Sequence, residues 1–175
     1  VDGYAAQLRS QGATRIVVGG HSLGANIALS YAVERGNVAG VVMAGPGHSP
    51  GGLMQSSDAA RRTLERAREL VKAGQGDASL SGPDSNQGNT ITLSTTAAAY
   101  ASWMDPRGKA SMDAQAPRLP FSIPLLMVVG EKDPSFRRAR PVWYDAAPRN
   151  PYSRFVTVGA DHFTTPFAAS KQIVD

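Results

Sequence analysis

The segment Gly20-His21-Ser22-Leu23-Gly24 constrains the fold of this chain more than any other part of it. It follows an apolar run at residues 15–19 and precedes a stretch at residues 25–35 with helical periodicity. Glycines two positions before and after Ser22 permit a turn so sharp that a side chain at either position would collide with the neighbouring strand or helix. We therefore expect a strand, a tight turn with Ser22 at its apex, and a helix.

Four short apolar runs are candidates for buried strands: residues 15–19, 38–44, 123–130 and 154–158. They are continuous rather than alternating, which is typical of parallel strands that are covered on both faces. Two of the intervening segments, residues 4–11 and 22–35, are predicted helices that end at Gly12 and Gly36. The alternation predicts an α/β fold with a parallel sheet flanked by helices.

A long insertion, residues 45–122, separates the second and third predicted strands. It contains a predicted amphipathic helix at residues 57–73, whose apolar stripe is Ala60, Leu64, Ala67 and Val71. The polar tract at residues 74–89 predicts a mobile loop, and residues 91–104 predict a second helix. We interpret residues 1–175 as one domain with an insertion large enough to form a cap.

Composition excludes several classes of protein and site. The chain has 175 residues, 42% of them hydrophobic and 18% charged, which indicates a globular soluble protein. No apolar run reaches the roughly 18 residues that a membrane span needs. The absence of cysteine excludes disulfides and thiolate metal sites. The net charge of +4 would suit an anionic partner, but the basic residues are scattered without interleaved aromatics, so no nucleic-acid partner is predicted.

Three residues with complementary chemistry each follow a predicted strand. Ser22 follows the first strand, Asp133 the third and His162 the last. The carboxyl ends of parallel strands meet at one edge of a sheet, where open α/β folds build their sites. A serine hydroxyl is a poor nucleophile until a base takes its proton, and that base needs an orienting acid. We therefore predict a site in which Ser22 attacks, His162 is the base and Asp133 orients it.

Two other acidic residues compete with Asp133 for the orienting role. Glu131 lies two positions earlier, and Asp161 lies beside His162. Asp161 is the weaker rival, because adjacent residues on an extended loop tend to point apart. No acid follows the second strand, where residues 45–48 are Gly-Pro-Gly-His.

With these three motifs in the chain order Ser, Asp, His, the sequence resembles the α/β-hydrolase superfamily, specifically its esterase- and lipase-like serine hydrolases. The resemblance implies a triad of Ser22, Asp133 and His162, with the backbone N–H of Leu23 as one oxyanion donor. It implies a small-molecule carboxylic ester or thioester substrate, an acyl-enzyme mechanism and no cofactor. It also implies that residues 45–122 form a cap over the pocket.

The chain departs from this family at its amino-terminal side. The family has about four more strands before the turn, and their loops supply the second oxyanion donor. Here residues 1–14 alone precede the first predicted strand. Three explanations are possible. The sequence could be a piece, without those strands, of a longer hydrolase; a second copy could cover the exposed sheet edge in a homo-oligomer; or the chain could be a minimal hydrolase. The alternative function is a non-catalytic hydrolase-fold binding module.

Three further residues are candidates for substrate contacts: His21, His48 and Trp103. His21 lies inside the turn and could instead pack beneath it, and His48 follows the second strand. Neither has carboxylates at metal-ligand spacing, so no metal is predicted. Trp103 belongs to a set that could form either an apolar acyl or aryl pocket or ordinary core packing; its other members are Leu53, Met54, Tyr100 and Met104. The sequence does not assign a compartment.

Overall fold

The computed structural model of the protein describes residues 1–174, which form two compact units. The first comprises Val1–Gly47 together with the chain from Ala116 onward, and the second is His48–Gln115. In chain order the elements are α1 (Asp2–Ser10), β1 (Val17–His21), α2 (Leu23–Arg35), β2 (Gly40–Ala44), α3 (Pro50–Ser56), α4 (Asp58–Lys72), β3 (Ser79–Asn86), β4 (Asn89–Thr96), α5 (Ala97–Trp103), α6 (Met112–Gln115), a 3₁₀ turn (Ala116–Arg118), β5 (Leu125–Gly130), α7 (Phe136–Arg138), a π-helical segment (Ala139–Tyr144), β6 (Arg154–Val158), α8 (Thr165–Ala168) and α9 (Ser170–Val174).

The first unit is built on a four-stranded sheet with the order β1-β2-β5-β6, in which each neighbouring pair is parallel. The α/β prediction is confirmed, and each of the four apolar runs contributes one strand. The first strand begins and ends two residues later than predicted, so that it includes His21. Among residues 1–174, β1 and β6 form the two edges of this sheet.

Helix α2 packs against β1 and β2 through small side chains. Its fully or almost fully buried apolar residues are Ala25, Ala28, Leu29 and Ala32. Three alanines let the helix backbone approach the sheet closely, which holds the start of α2 near the carboxyl ends of the strands. The helix ends where predicted, because Gly36 adopts the left-handed conformation with φ 62°.

The second unit corrects two predictions. The polar tract at residues 74–89 is not a loop, because its residues 79–86 form β3, which pairs antiparallel with β4. The predicted helix at residues 91–104 is wrong in its first half, where β4 runs to Thr96, and right in its second half. The physical reason lies in the connection: Gln87 and Gly88 both have positive φ, at 52° and 81°. Two consecutive residues of this kind make the tight turn that matches the twist of a hairpin.

Helix α4 carries the apolar core of the second unit. Ser57 caps it by accepting a hydrogen bond from the N–H of Ala60 at 3.2 Å. The predicted stripe is right for Ala60, Leu64 and Ala67, which are buried, and wrong for its last member. Val71 is 43% exposed, and Leu70 takes its place in the core.

Within residues 1–174, no helix has both the length and the apolar character that crossing a bilayer would require.

Candidate active site

The turn between β1 and α2 places Ser22 in a strained backbone conformation. Ser22 has φ 57° and ψ −122°, and its N–H donates to the carbonyl of Ala44 at 3.0 Å. A Cβ on Gly20 would lie 2.3 Å from the backbone carbon of Gly24, so only glycine fits there. The expected collision at Gly24 is wrong, since a Cβ there would meet nothing within 4 Å outside its own helix. The close approach depends on Gly20.

Ser22, His162 and Asp133 form a continuous chain of hydrogen bonds at the carboxyl ends of β1, β6 and β5. His162 Nδ1 lies 2.7 Å from Asp133 Oδ2, and His162 Nε2 lies 2.9 Å from Ser22 Oγ. A carboxylate only accepts, so Nδ1 carries the proton and Nε2 is left to accept from the serine hydroxyl. Asp133 and His162 are each 6% exposed, which shields their interaction from water. The geometry brings together the three residues that the sequence predicted.

Asp133 is held by a residue that the sequence analysis missed. Its second oxygen, Oδ1, accepts hydrogen bonds from the N–H of Ser135 at 2.8 Å and from the Ser135 hydroxyl at 2.7 Å. These bonds leave Oδ2 aimed at His162. The signal was present, because an aspartate followed by proline and serine is typical of a turn in which the side chain bonds the backbone two residues on.

The two rival acids lie outside this chain of hydrogen bonds. Glu131 is exposed. Asp161 is also exposed, and it accepts from the N–H and hydroxyl of Thr164 at 2.8 and 2.7 Å. These hydrogen bonds lower the pKa of Asp161, and the one from the Thr164 hydroxyl has the largest effect. Its carboxylate therefore caps its own turn.

Gly45, which follows β2, is a second residue that the sequence analysis missed. It has φ +51°, a conformation that other residues adopt at a cost. A Cβ there would lie 3.2 Å from Asp133 Oδ2, 3.4 Å from His162 Nδ1 and 3.5 Å from His21 Cδ2. The absence of a side chain at this position leaves room for the Asp133–His162 pair.

The start of α2 provides backbone donors beside Ser22. Leu23 is the first residue of the 13-residue helix, and the N–H groups of a first turn have no acceptor within their own helix. The aligned peptide dipoles also favour negative charge at this end. The oxyanion role of the Leu23 N–H stays a prediction, consistent with this position.

His48 and Trp103 lie together in the second unit. Their rings stack with centroids 3.6 Å apart, and His48 Nε2 donates to the Trp103 carbonyl at 2.8 Å. The Trp103 indole in turn donates to Asp84 Oδ2 at 2.9 Å. Burial lowers the pKa of His48 from its usual 6.5, so this ring is held neutral. Substrate contact by His21, His48 or Trp103 stays a prediction.

The apolar set around Trp103 divides into buried and partly exposed members. Tyr100 and Met104 are fully buried in the core that surrounds Leu64, and Leu53, Met54 and Trp103 pack against that core while partly exposed. Core packing therefore accounts for Tyr100 and Met104. Within the part of the chain that the structure describes, no group of three or more histidine or acidic side chains is placed to hold a metal ion.

Solved structures of several lipases and esterases share this fold. A monoacylglycerol lipase from Paleococcus ferrophilus is 21% identical with a TM-score of 0.54, covering 91% of this chain and 64% of its own. A highly thermostable carboxyl esterase from Bacillus coagulans is 16% identical with a TM-score of 0.58, and the match covers 97% of this chain and 64% of the esterase. A soluble variant of monoglyceride lipase from Saccharomyces cerevisiae is 16% identical with a TM-score of 0.57, covering 98% and 65%.

At these identities the likeness shows the fold, and the chain spans less than two thirds of the length of each of these proteins. No curated protein matches the sequence. A family model described as the alpha/beta hydrolase family matches residues 1–175. With its parallel sheet and its strand–serine–helix turn, the chain belongs to the alpha/beta hydrolase family.

Proposed function

We propose that the protein is a serine hydrolase that cleaves a carboxylic ester or thioester through an acyl-enzyme. The observation that carries the proposal is the unbroken series of hydrogen bonds from Asp133 through His162 to Ser22. This is the arrangement that activates a serine hydroxyl, with the base beside the nucleophile and the acid behind the base.

In the first half of the reaction, His162 Nε2 takes the hydroxyl proton as Ser22 Oγ attacks the substrate carbonyl carbon. The carbonyl oxygen becomes an oxyanion that accepts a hydrogen bond from the Leu23 N–H. The tetrahedral intermediate collapses, the bond to the leaving alcohol or thiol breaks, and His162 returns the proton to that leaving group. Asp133 stabilises the imidazolium that forms in between.

In the second half, a water molecule takes the place of the leaving group. His162 removes a proton from the water as its oxygen attacks the acyl carbon bound to Ser22. The second tetrahedral intermediate releases the carboxylic acid, and the proton on His162 returns to Ser22 Oγ. No cofactor enters either half-reaction.

An ester substrate is supported by two features. The three structural neighbours named above are called lipases or esterases, and they share the fold. Apolar side chains also adjoin both reacting groups in sequence: Leu23, which follows Ser22, is 48% exposed, and Phe163, which follows His162, is 69% exposed. Hydrocarbon groups on either side of an ester bond would find apolar surface there.

The test is hydrolysis of p-nitrophenyl acetate and butyrate by the wild-type chain and by Ser22→Ala. We expect Ser22→Ala to lower turnover by about 10⁴-fold or more, since the nucleophile is lost. Asp133→Asn should lower it by at least about 100-fold, because the orienting acid is lost. The matched variant Asp161→Asn should change it less than about threefold, since that carboxylate lies outside the triad.

Labelling with a fluorophosphonate probe separates the remaining outcomes. A folded wild-type chain that neither hydrolyses the esters nor reacts with the probe at Ser22 would refute the proposal. Labelling at Ser22 without turnover would instead support the non-catalytic binding module.

A further inference from the structure

His21, the last residue of β1, contacts the backbone of His162 and not one of the reacting side-chain atoms. Its Nε2 lies 2.7 Å from the carbonyl oxygen of His162, a residue 141 positions away in the sequence. A carbonyl only accepts, so His21 Nε2 carries a proton and donates it. The two imidazole rings lie with their centroids 4.8 Å apart and tilted by 46°.

The order of the strands explains why such a link is needed. In the described sheet, β1 and β6 are opposite edges, separated by β2 and β5. At about 4.8 Å between neighbouring strands, their ends are roughly 14 Å apart. The loop between β6 and α8 must therefore extend back across the sheet to bring His162 to Ser22.

Other hydrogen bonds hold the backbone of this loop just before His162. The carbonyl of Ala160 accepts from the N–H of Lys132 at 3.0 Å, and the carbonyl of Asp161 accepts from the N–H and hydroxyl of Thr165 at 3.1 and 2.6 Å. The bond from His21 adds a direct link between the His162 carbonyl and the end of β1.

We propose that His21 is a positioning residue for His162, whose hydrogen bond to the backbone carbonyl fixes the aim of the general base at Ser22. The inference rests on the proposed function, because it assigns His21 to the same reaction. This role takes the place of substrate contact for His21, because its Nε2 already donates to a backbone carbonyl of the protein.

The acyl-enzyme stage distinguishes this role from simple packing. Once Ser22 Oγ is acylated it has no hydrogen to donate, so the bond between Ser22 and His162 Nε2 is lost. The bond from His21 does not involve the serine side chain and therefore persists. His162 must still be aimed at the attacking water, so His21 acts in deacylation as well as acylation.

The experiment compares His21→Phe, which keeps an aromatic ring but has no donor, with His21→Gln, whose amide nitrogen can donate at similar reach. We expect His21→Phe to lower kcat by about 10- to 100-fold with KM changed less than about threefold. His21→Gln should recover at least about tenfold of that loss. The burst and steady-state phases of p-nitrophenyl acetate hydrolysis should show both acylation and deacylation slowed.

A matched control removes another hydrogen bond from a side chain to a backbone carbonyl in the same unit. Asn150 donates from its side-chain amide to the carbonyl of Phe121 at 2.8 Å. Asn150→Leu should leave kcat within about twofold of wild type while lowering the thermal midpoint by a few degrees. Thermal midpoints of all variants show whether a loss of turnover reflects unfolding.

Three results would overturn the inference: unchanged kcat in a folded His21→Phe, a His21→Gln variant as impaired as His21→Phe, or a slowed acylation phase with normal deacylation. If His21→Phe does not fold, His21→Asn replaces it, because the asparagine side chain is one bond shorter than that of glutamine and its amide does not reach the His162 carbonyl. Equal kcat in His21→Asn and His21→Gln would then refute the positioning role of His21. Wild-type chain without Ser22-dependent turnover would refute the proposed function itself, and the role of His21 with it.

Discussion

At the residue scale, the site depends on backbone positions that ordinary side chains do not adopt or do not fit. Ser22 holds a positive φ that costs about 1–3 kcal/mol, and the surrounding backbone must impose it. The imposing contacts are the hydrogen bond from Ser22 to Ala44 and the close approach of Gly20 to Gly24. Gly45 contributes in a different way, since it leaves space beside the side chains of Asp133 and His162.

The role of Gly45 can be tested against a matched glycine. Gly45→Ala introduces a methyl group 3.2 Å from Asp133 Oδ2, whereas Gly36→Ala introduces one with nothing within 4 Å. Both glycines have positive φ, at 51° and 62°, so each substitution should cost about 1–2 kcal/mol of stability. Only Gly45→Ala should also lower kcat/KM, by about tenfold or more, because it displaces the Asp133–His162 pair.

Urea unfolding and ester hydrolysis by the two glycine variants give the stability and the activity separately. Equal activity in two equally destabilised variants would show that the space beside Gly45 does not matter to the site.

At the element scale, α4 shows where periodicity reaches its limit. After Ala67, the positions three and four residues on both fall near the same helix face, so the pattern admits either Leu70 or Val71. The structure buries Leu70 among Leu64, Tyr100 and Met104 and leaves Val71 on the rim. The side chains against which Leu70 packs, Tyr100 and Met104, lie 30 and 34 positions after it in the chain.

This choice predicts unequal costs for two neighbouring truncations. Leu70→Ala should destabilise the protein by about 2–4 kcal/mol, because Leu70 is 8% exposed and its removal leaves a cavity. Val71→Ala on the same helix should cost less than about 1 kcal/mol, since Val71 is 43% exposed. Urea unfolding followed by tryptophan fluorescence measures both. The reverse order of costs would show that Val71, and not Leu70, is the buried member of the apolar stripe.

At the scale of the whole molecule, the described sheet presents β1 as an edge. Its first residue, Val17, is 57% exposed, and in the following helix Leu23 and Ile27 are 48% and 50% exposed. An edge strand with apolar side chains is a template for pairing with another chain. A homo-oligomer that covers this edge therefore stays a prediction.

A charge placed on the edge should weaken that association. We expect the wild-type chain to associate as its concentration rises, and Val17→Lys to shift this to at least about tenfold higher concentration. Tyr152→Lys is the control, since Tyr152 is 77% exposed in a turn away from β1. Light scattering coupled to size exclusion measures the mass of each. Association that is the same in both lysine variants would exclude β1 as the contact.

The sequence by itself was sufficient to predict the four strands of the parallel sheet, α2 and the three residues of the hydrogen-bonded chain. These features carry local signals: continuous apolar runs, a glycine-flanked serine, and polar residues directly after strands. It failed for both β3 and β4, because a tract rich in serine, threonine, glycine and asparagine forms strands only through pairing with its neighbour.

Only the tertiary structure decided how the residues meet at the site. Its strand order carries His162 from the β6 edge back to Ser22, brings His21 against the His162 carbonyl and places Gly45 beside Asp133. These contacts join residues from different strands of the sheet. No local pattern encodes them, because a hydrogen bond between positions 141 residues apart depends on the packing of everything between them. The sequence predicted the members of the hydrogen-bonded chain, and the fold determined how they meet.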